Sequence, residues 1–131
     1  MTWTVRAMLR PERYVKPELD WSSFDLRWFN KKFTWQEDKL FGVWDRLQPV
    51  EETLSKRQGD CEDYAFVAAS YLLSETDEPV SLAYLMRGVE AHIVCFTDDA
   101  VYSSGKTFEW TLGQYCLQKN YKTVYTNELR A

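Results

Sequence analysis

The chain reads as an α+β domain: helices first, then a small antiparallel β-sheet, with a nucleophile-bearing helix packed on that sheet. Three observations predict this. Aromatic and aliphatic residues recur at helical spacing through the first half of the chain. Gly59-Asp60 opens an apolar run at the same spacing, Ala65-Phe66-Val67-Ala68-Ala69 and then Tyr71-Leu72-Leu73. After Pro79 the apolar residues alternate with period two, and Asp98-Asp99 marks a tight turn.

Taken in order, residues 1–20 are irregular or partly extended, broken by Pro11 and Pro17. Trp21, Phe24, Trp28 and Phe29 fall at helical spacing, with Asp20 as the expected cap. A second helix is expected over Gln36 to Leu47, with Leu40, Phe41, Trp44 and Leu47 on one face. Pro49 to Leu54 forms a short turn or helix, and a loop, Ser55 to Gln58, leads into the cysteine helix over about residues 60–74. Asp60 is its expected N-cap, and Glu62 and Asp63 suit the helix dipole.

Val80 to Arg87 reads as a strand in which Leu82, Tyr84 and Met86 alternate with Ser81, Ala83 and Leu85. Ala91 to Thr97 is a second strand and Ala100 to Ser104 a third. Trp110 to Leu117 is helical or extended, and Tyr121 to Tyr125 is a last strand. No repeat, low-complexity tract or long Gly/Ser linker divides the 131 residues, so they are read as one domain, 1–131.

Composition narrows the function classes. The net charge of −4 and the lack of a basic stripe argue against a nucleic-acid partner. No apolar run approaches the roughly 20 residues of a membrane span, which argues against a membrane partner. The first ten residues lack a secretory h-region, so the expected compartment is the cytoplasm. The cysteines at 61, 95 and 116 form no C-x-x-C pair and there is a single histidine, so neither a metal nor a cofactor is expected. Cys95 and Cys116 read as small buried hydrophobes.

The chemistry concentrates at Gln58-Gly59-Asp60-Cys61-Glu62-Asp63-Tyr64-Ala65. Cys61 falls in the first turn of its helix, where unpaired N–H groups and the dipole favour a thiolate. A cysteine nucleophile needs a base, and His92 is the one imidazole in the chain. A hairpin closed by Asp98-Asp99 sets residue 97 opposite 100, 95 opposite 102 and 92 opposite 105. Side chains 92, 94 and 96 then share a face with 101, 103 and 105, which puts Ser103 diagonal to His92. Asp98 and Asp99 lie about 20 Å from His92, six or seven residues away at roughly 3.3 Å each, too far to orient it. The Cys61 N–H, with Gln58 as a second donor, could form an oxyanion site.

These residues resemble the bacterial transglutaminase-like cysteine proteinase family, within the papain-like and transglutaminase-like superfamily. The resemblance covers about residues 36–105. It is carried by Pro49-Val50-Glu51-Glu52-Thr53-Leu54, then by Gly59-Asp60-Cys61-Glu62-Asp63-Tyr64-Ala65, and by the strand Ala91-His92-Ile93-Val94. It implies a papain-like or transglutaminase-like core and a Cys-His-Asp triad that performs acyl chemistry on amides. Cys61 and His92 take the first two places. The third, usually Asp followed by Asn, falls in Val101-Tyr102-Ser103-Ser104-Gly105, so Ser103 stands where the carboxylate is expected.

Two functions follow as expectations. One is a cysteine-dependent amide hydrolase or acyltransferase acting on a protein or peptide. The other is a catalytically degenerate domain that serves as a binding, structural or regulatory module. A compact chain with no signal segment would suit a phage-encoded or cytoplasmic protein.

Overall fold

The computed structural model describes residues 10–36 and 48–129. After a 3-10 turn at Pro11–Arg13, the elements are α1 (Leu26–Lys32), β1 (Thr34–Trp35), α2 (Val50–Lys56), β2 (Gln58–Gly59) and α3 (Cys61–Glu75). Then come β3 (Val80–Arg87), β4 (Glu90–Phe96), β5 (Val101–Ser103), β6 (Lys106–Phe108), α4 (Leu112–Lys119) and β7 (Lys122–Leu129). The expected α+β order holds.

The first helix differs from its expectation at its start. Asp25, not Asp20, caps α1, accepting the N–H groups of Arg27 and Trp28 at 2.9 and 3.3 Å. The Asp20 carboxylate is occupied by Ser22, accepting its N–H at 3.0 Å and its hydroxyl at 2.6 Å, which makes an Asx turn instead of a helix start. The aromatic spacing still reports burial in part. Trp21 and Phe29 are in the core, but Trp28 is 47 % exposed under the guanidinium of Arg57. Gln36 is not the start of a helix. Its N–H donates to the Gly59 carbonyl at 2.8 Å, extending the parallel pairing of β1 with β2. The rest of the helix expected there, with Leu40, Phe41, Trp44 and Leu47, lies outside the described residues.

The segment expected as a loop, Ser55 to Gln58, is more ordered than a loop. Helix α2 continues to Lys56 and stops because Arg57 turns left-handed, with φ at 56°. Gln58 and Gly59 then form β2.

Helix α3 is the centre of the molecule. Glu62 to Ser70 are all buried, so the helix has no broad solvent face along that stretch. The five-stranded antiparallel sheet runs in the order β6-β5-β4-β3-β7. Leu82, Ile93 and Cys95 pack with α3 on one face, while Ala83, Leu85, Val94 and Val101 pack with Tyr115 of α4 on the other. Both phases of the alternation in β3 are therefore buried, because the sheet has cover on each side.

The β4–β5 hairpin has the expected register, with Cys95 opposite Tyr102, and a two-residue turn closed by the Thr97 N–H on the Ala100 carbonyl at 2.9 Å. Strand β6 was not anticipated. The chain reverses at Ser104-Gly105, both with positive φ (44° and 85°), before the third strand could reach a position opposite His92. Trp110 to Leu117, left open as helical or extended, contains most of α4, which Thr111 and Gln114 cap reciprocally. The last strand starts at Lys122 and runs to Leu129. Cys95 is fully buried as expected, but Cys116 is only partly so, its sulfur 3.5 Å from the Thr123 hydroxyl.

Candidate active site

The residues around Cys61 are held by a polar network that explains their order. The Asp60 carboxylate accepts the Asp63 N–H at 3.0 Å, and Asp63 accepts the Asp60 N–H at 3.1 Å. This reciprocal cap fixes the first turn of α3. The other oxygen of Asp63 accepts the Gln48 N–H at 2.9 Å. The Gln48 amide donates to the Thr53 hydroxyl at 2.8 Å and to the Gln58 carbonyl at 2.9 Å. The two sequence segments on either side of the Ser55–Gln58 stretch are thus tied together by one glutamine. Gly59 is required by proximity: a Cβ there would stand 2.7 Å from both Cβ and Oδ2 of Asp63.

Asp63 itself is buried, and burial pushes its carboxyl up to about 8, with the Asp60 charge acting the same way and the Gln48 and Asp60 N–H groups against it. Glu62 is buried as well.

Cys61 is the first residue of α3 and is partly exposed. Its N–H precedes the first intrahelical bond, from the Tyr64 N–H to the Asp60 carbonyl at 3.2 Å. Its sulfur accepts the Ile93 N–H, so the thiol meets β4 one residue beyond His92. Burial pushes the thiol up to about 12; the Ile93 hydrogen bond opposes this, and Asp60, Glu62 and Asp63 add to it. The thiolate expected from a helix start is therefore not the resting form. A helix terminus contributes only about 0.3–1 kcal/mol at an exposed site, too little to outweigh the burial of the thiol.

His92 is half-buried in β4. Its Nε2 lies 2.8 Å from the Ser103 hydroxyl, so the diagonal placement read from the hairpin is what the fold produces. Burial pushes the imidazole down to about 4, with Arg87 acting the same way and Glu90 against it. The ring is neutral at neutral pH. Among the described residues no hydrogen bond joins the sulfur to the imidazole. Ser103 is buried and also accepts a hydrogen bond from the Tyr115 hydroxyl at 3.1 Å. Gln58 sits three residues before Cys61, fixed in β2 by pairing with Thr34. Asp60 serves as the cap.

Sequence reasoning missed Gln48, Tyr115 and Tyr121. Tyr121 stacks on His92, with ring centroids 5.3 Å apart and planes 17° apart. No local signal marks these residues, since they reach the site from other elements.

The arrangement offers a neutral thiol, a neutral imidazole held at one nitrogen, and N–H groups at a helix start. Among the described residues no group of three or more His, Cys, Asp or Glu is set to hold a metal ion, and no helix is long and apolar enough to cross a membrane.

A family model described as a transglutaminase-like domain matches residues 13–126. Two solved structures share the fold. The calcium-bound LapG of Legionella pneumophila is 21% identical, with a TM-score of 0.56. A second LapG structure from the same organism is 20% identical, with a TM-score of 0.57. Each alignment covers 78% of this chain and 62% of the other, so the chain spans under two thirds of the length of those neighbours. No curated protein matches the chain.

Proposed function

The chain belongs to the transglutaminase-like domain family, and from that premise we propose that it is a cysteine-dependent amide hydrolase or acyltransferase acting on a protein or peptide. The observation that carries the reading is the shared end of α3 and β4. The Cys61 sulfur takes the Ile93 N–H while the neighbouring His92 is held through Nε2 by Ser103, which leaves Nδ1 for the thiol proton.

The starting state is a neutral pair, so the proton moves during attack and not before it. The sulfur forms a bond to the amide carbonyl carbon as His92 Nδ1 takes its proton. The Cys61 N–H, with Gln58 as second donor, receives the developing oxyanion. The imidazolium then gives its proton to the departing amine as the C–N bond breaks, leaving a thioester. Water attacks the thioester in hydrolysis, or a second amine in transfer. His92 accepts the attacker's proton and returns it to the sulfur. Ser103 orients the ring and stays neutral throughout.

The test is formation of a Cys61 acyl adduct. The protein is mixed with a peptide p-nitrophenyl ester and followed by intact mass. The wild type is expected to gain one acyl group, mapped to Cys61, and Cys61→Ala none. His92→Ala should slow acylation by about 100-fold or more, in line with the loss of a general base. Equal acylation of the wild type and His92→Ala would overturn the reading.

A second reading is favoured by Ser103 at the carboxylate position and by the raised thiol: a degenerate domain that binds a partner without chemistry. It gains if no adduct forms and Cys61→Ala retains the wild-type function.

A further inference from the structure

A neutral serine alone is a weak handle for an imidazole. It offers one rotatable hydroxyl, where a carboxylate offers two fixed acceptors and a charge. A single hydrogen bond at Nε2 also fixes only one direction, and the ring plane can still turn about it. The structure supplies both missing restraints from one place, the corner where α4 ends and β7 begins. We propose that this corner is the positioning device for His92, with Tyr115 acting on the ring nitrogen through Ser103 and Tyr121 setting the ring plane. The inference deepens the reading above, and its catalytic consequence rests on it.

Tyr115 is 3 % exposed and packs edge-on against Phe108, with centroids 5.3 Å apart. Its hydroxyl reaches the Ser103 oxygen at 3.1 Å, and that oxygen is also 2.8 Å from His92 Nε2. The serine hydroxyl is therefore held from two sides and cannot swing freely. The Tyr115 hydroxyl donates to that oxygen, and with Nδ1 free as the base His92 donates to it from Nε2, so both groups converge on one serine oxygen.

Tyr121 provides the plane. It lies nearly parallel to His92 and to Tyr115, at 17° and 3°, with centroids 5.3 and 6.1 Å away. The guanidinium of Arg87 sits 4.6 Å from the Tyr121 centroid. Arg87 is itself anchored by Glu90, at 2.6 and 3.0 Å, and by the Lys119 carbonyl at 3.0 Å. The backbone turns to allow this. Asn120 is left-handed, with φ at 61°, and the Tyr121 N–H returns to the Cys116 carbonyl at 2.9 Å. Asn is among the few residues that take this conformation readily, so α4 stops there and Tyr121 folds back over the ring.

The groups facing the imidazole are Arg87 from β3, Glu90 from its own strand, Ser103 from β5, and Tyr115 and Tyr121 from the corner. Cys61 of α3 meets the N–H of Ile93, the next residue of β4. A frame of hydroxyls and rings directs the imidazole, and the one carboxylate near it, Glu90, is paired with Arg87.

The chain has one histidine, so nitrogen-15 NMR of histidine-labelled protein reads this ring without assignment. The wild type, Tyr121→Phe, Tyr121→Leu, Tyr121→Ala and Tyr115→Phe are compared for ring relaxation and titration midpoint, with circular dichroism as the check on folding. Tyr121→Phe keeps the flat ring and is expected to match the wild type. Tyr121→Ala should loosen the ring and raise its midpoint by about one pH unit or more toward the ordinary histidine value. Tyr121→Leu, which retains apolar bulk, should loosen the ring too, and it decides the matter if the alanine variant does not fold. Tyr115→Phe should move the Nε2 resonance and leave the stack intact. The proposal is overturned if folded Tyr121→Leu relaxes and titrates as the wild type does, or if Tyr121→Phe changes the ring as much as Tyr121→Leu. This readout does not require Cys61 to react, so failure of acylation and failure of positioning are distinguishable.

Discussion

His92 Nε2 and the Ser103 hydroxyl stand 2.8 Å apart, joined across the β4–β5 hairpin at the position where related chains are expected to carry a carboxylate. The contact directs the ring but adds no charge, and the imidazole is left neutral by burial. Several outcomes depend on this pair.

Replacing Ser103 with aspartate should restore a charged partner. The His92 midpoint is expected to rise from about 4, because a neighbouring anion favours imidazolium. Acylation of Cys61 should then depend on pH differently, with an inflection following the new midpoint. NMR titration of the single histidine beside acylation rate against pH checks both. An unchanged midpoint would show that the introduced carboxyl group is itself protonated or turned away.

Ser103→Ala should destabilise the fold by about 1–3 kcal/mol, since it leaves the buried Tyr115 hydroxyl and His92 Nε2 without their shared partner. Urea unfolding of the variant against the wild type measures it.

Cys61 should resist alkylation. Burial and the nearby carboxyl groups hold the thiol up at about 12, so at pH 7 iodoacetamide should label it more slowly than free cysteine. Labelling should climb with pH through the alkaline range. Peptide mapping after timed quenching separates Cys61 from the other two cysteines. Fast labelling near pH 6 would indicate the ion pair that the helix start alone suggested.

Two buried groups should give stability opposite slopes with pH. His92 is held down at about 4 against an ordinary 6.5, so the unfolded chain binds its proton first and stability falls as pH drops from about 6.5 to 4. Asp63 is held up at about 8 against 3.8, so its contribution is full below about 3.8 and is lost as pH rises toward 8. His92→Gln should flatten the acid-side slope. Asp63→Asn should flatten the other and also cost about 1 kcal/mol or more, because one amide oxygen cannot accept the N–H groups of both Asp60 and Gln48 as the two carboxyl oxygens do. Denaturant midpoints across pH 4–8 test each.

Gly59→Ala should cost about 1–3 kcal/mol through overpacking, since the added Cβ would meet Asp63 at 2.7 Å and push on the cap of α3. Thermal unfolding reads the loss. A neutral result would show that Asp63 has room to move, and would weaken the account of the motif as a packed unit.

Much of this was legible along the chain. Gly59, Asp60 and Asp63 are neighbours whose caps and contacts are local, so their order announces the helix and its start. Asp98-Asp99 fixes a two-residue turn, and period-two alternation then carries Ser103 to the face of His92. Each of these relations spans a dozen residues or fewer, and chain geometry settles it. The capping of α1 was misread because Asp20 and Asp25 are both good caps, and only the Ser22 contact removes the first from use. Strand β6 went unseen because Ser104, unlike Gly105, is an uncommon residue at positive φ.

By itself, the sequence determined the candidate nucleophile, the one available imidazole, the α+β order and the serine across the hairpin from that imidazole. The tertiary structure decided the state of that site. The sulfur meets the Ile93 N–H, Gln48 binds two segments, and Tyr115 and Tyr121 come around from α4 to hold the ring. The reason is physical: protonation state depends on burial and on charges brought from distant parts of the chain. Local spacing can place a cysteine at a helix start, but only packing determines whether water reaches it.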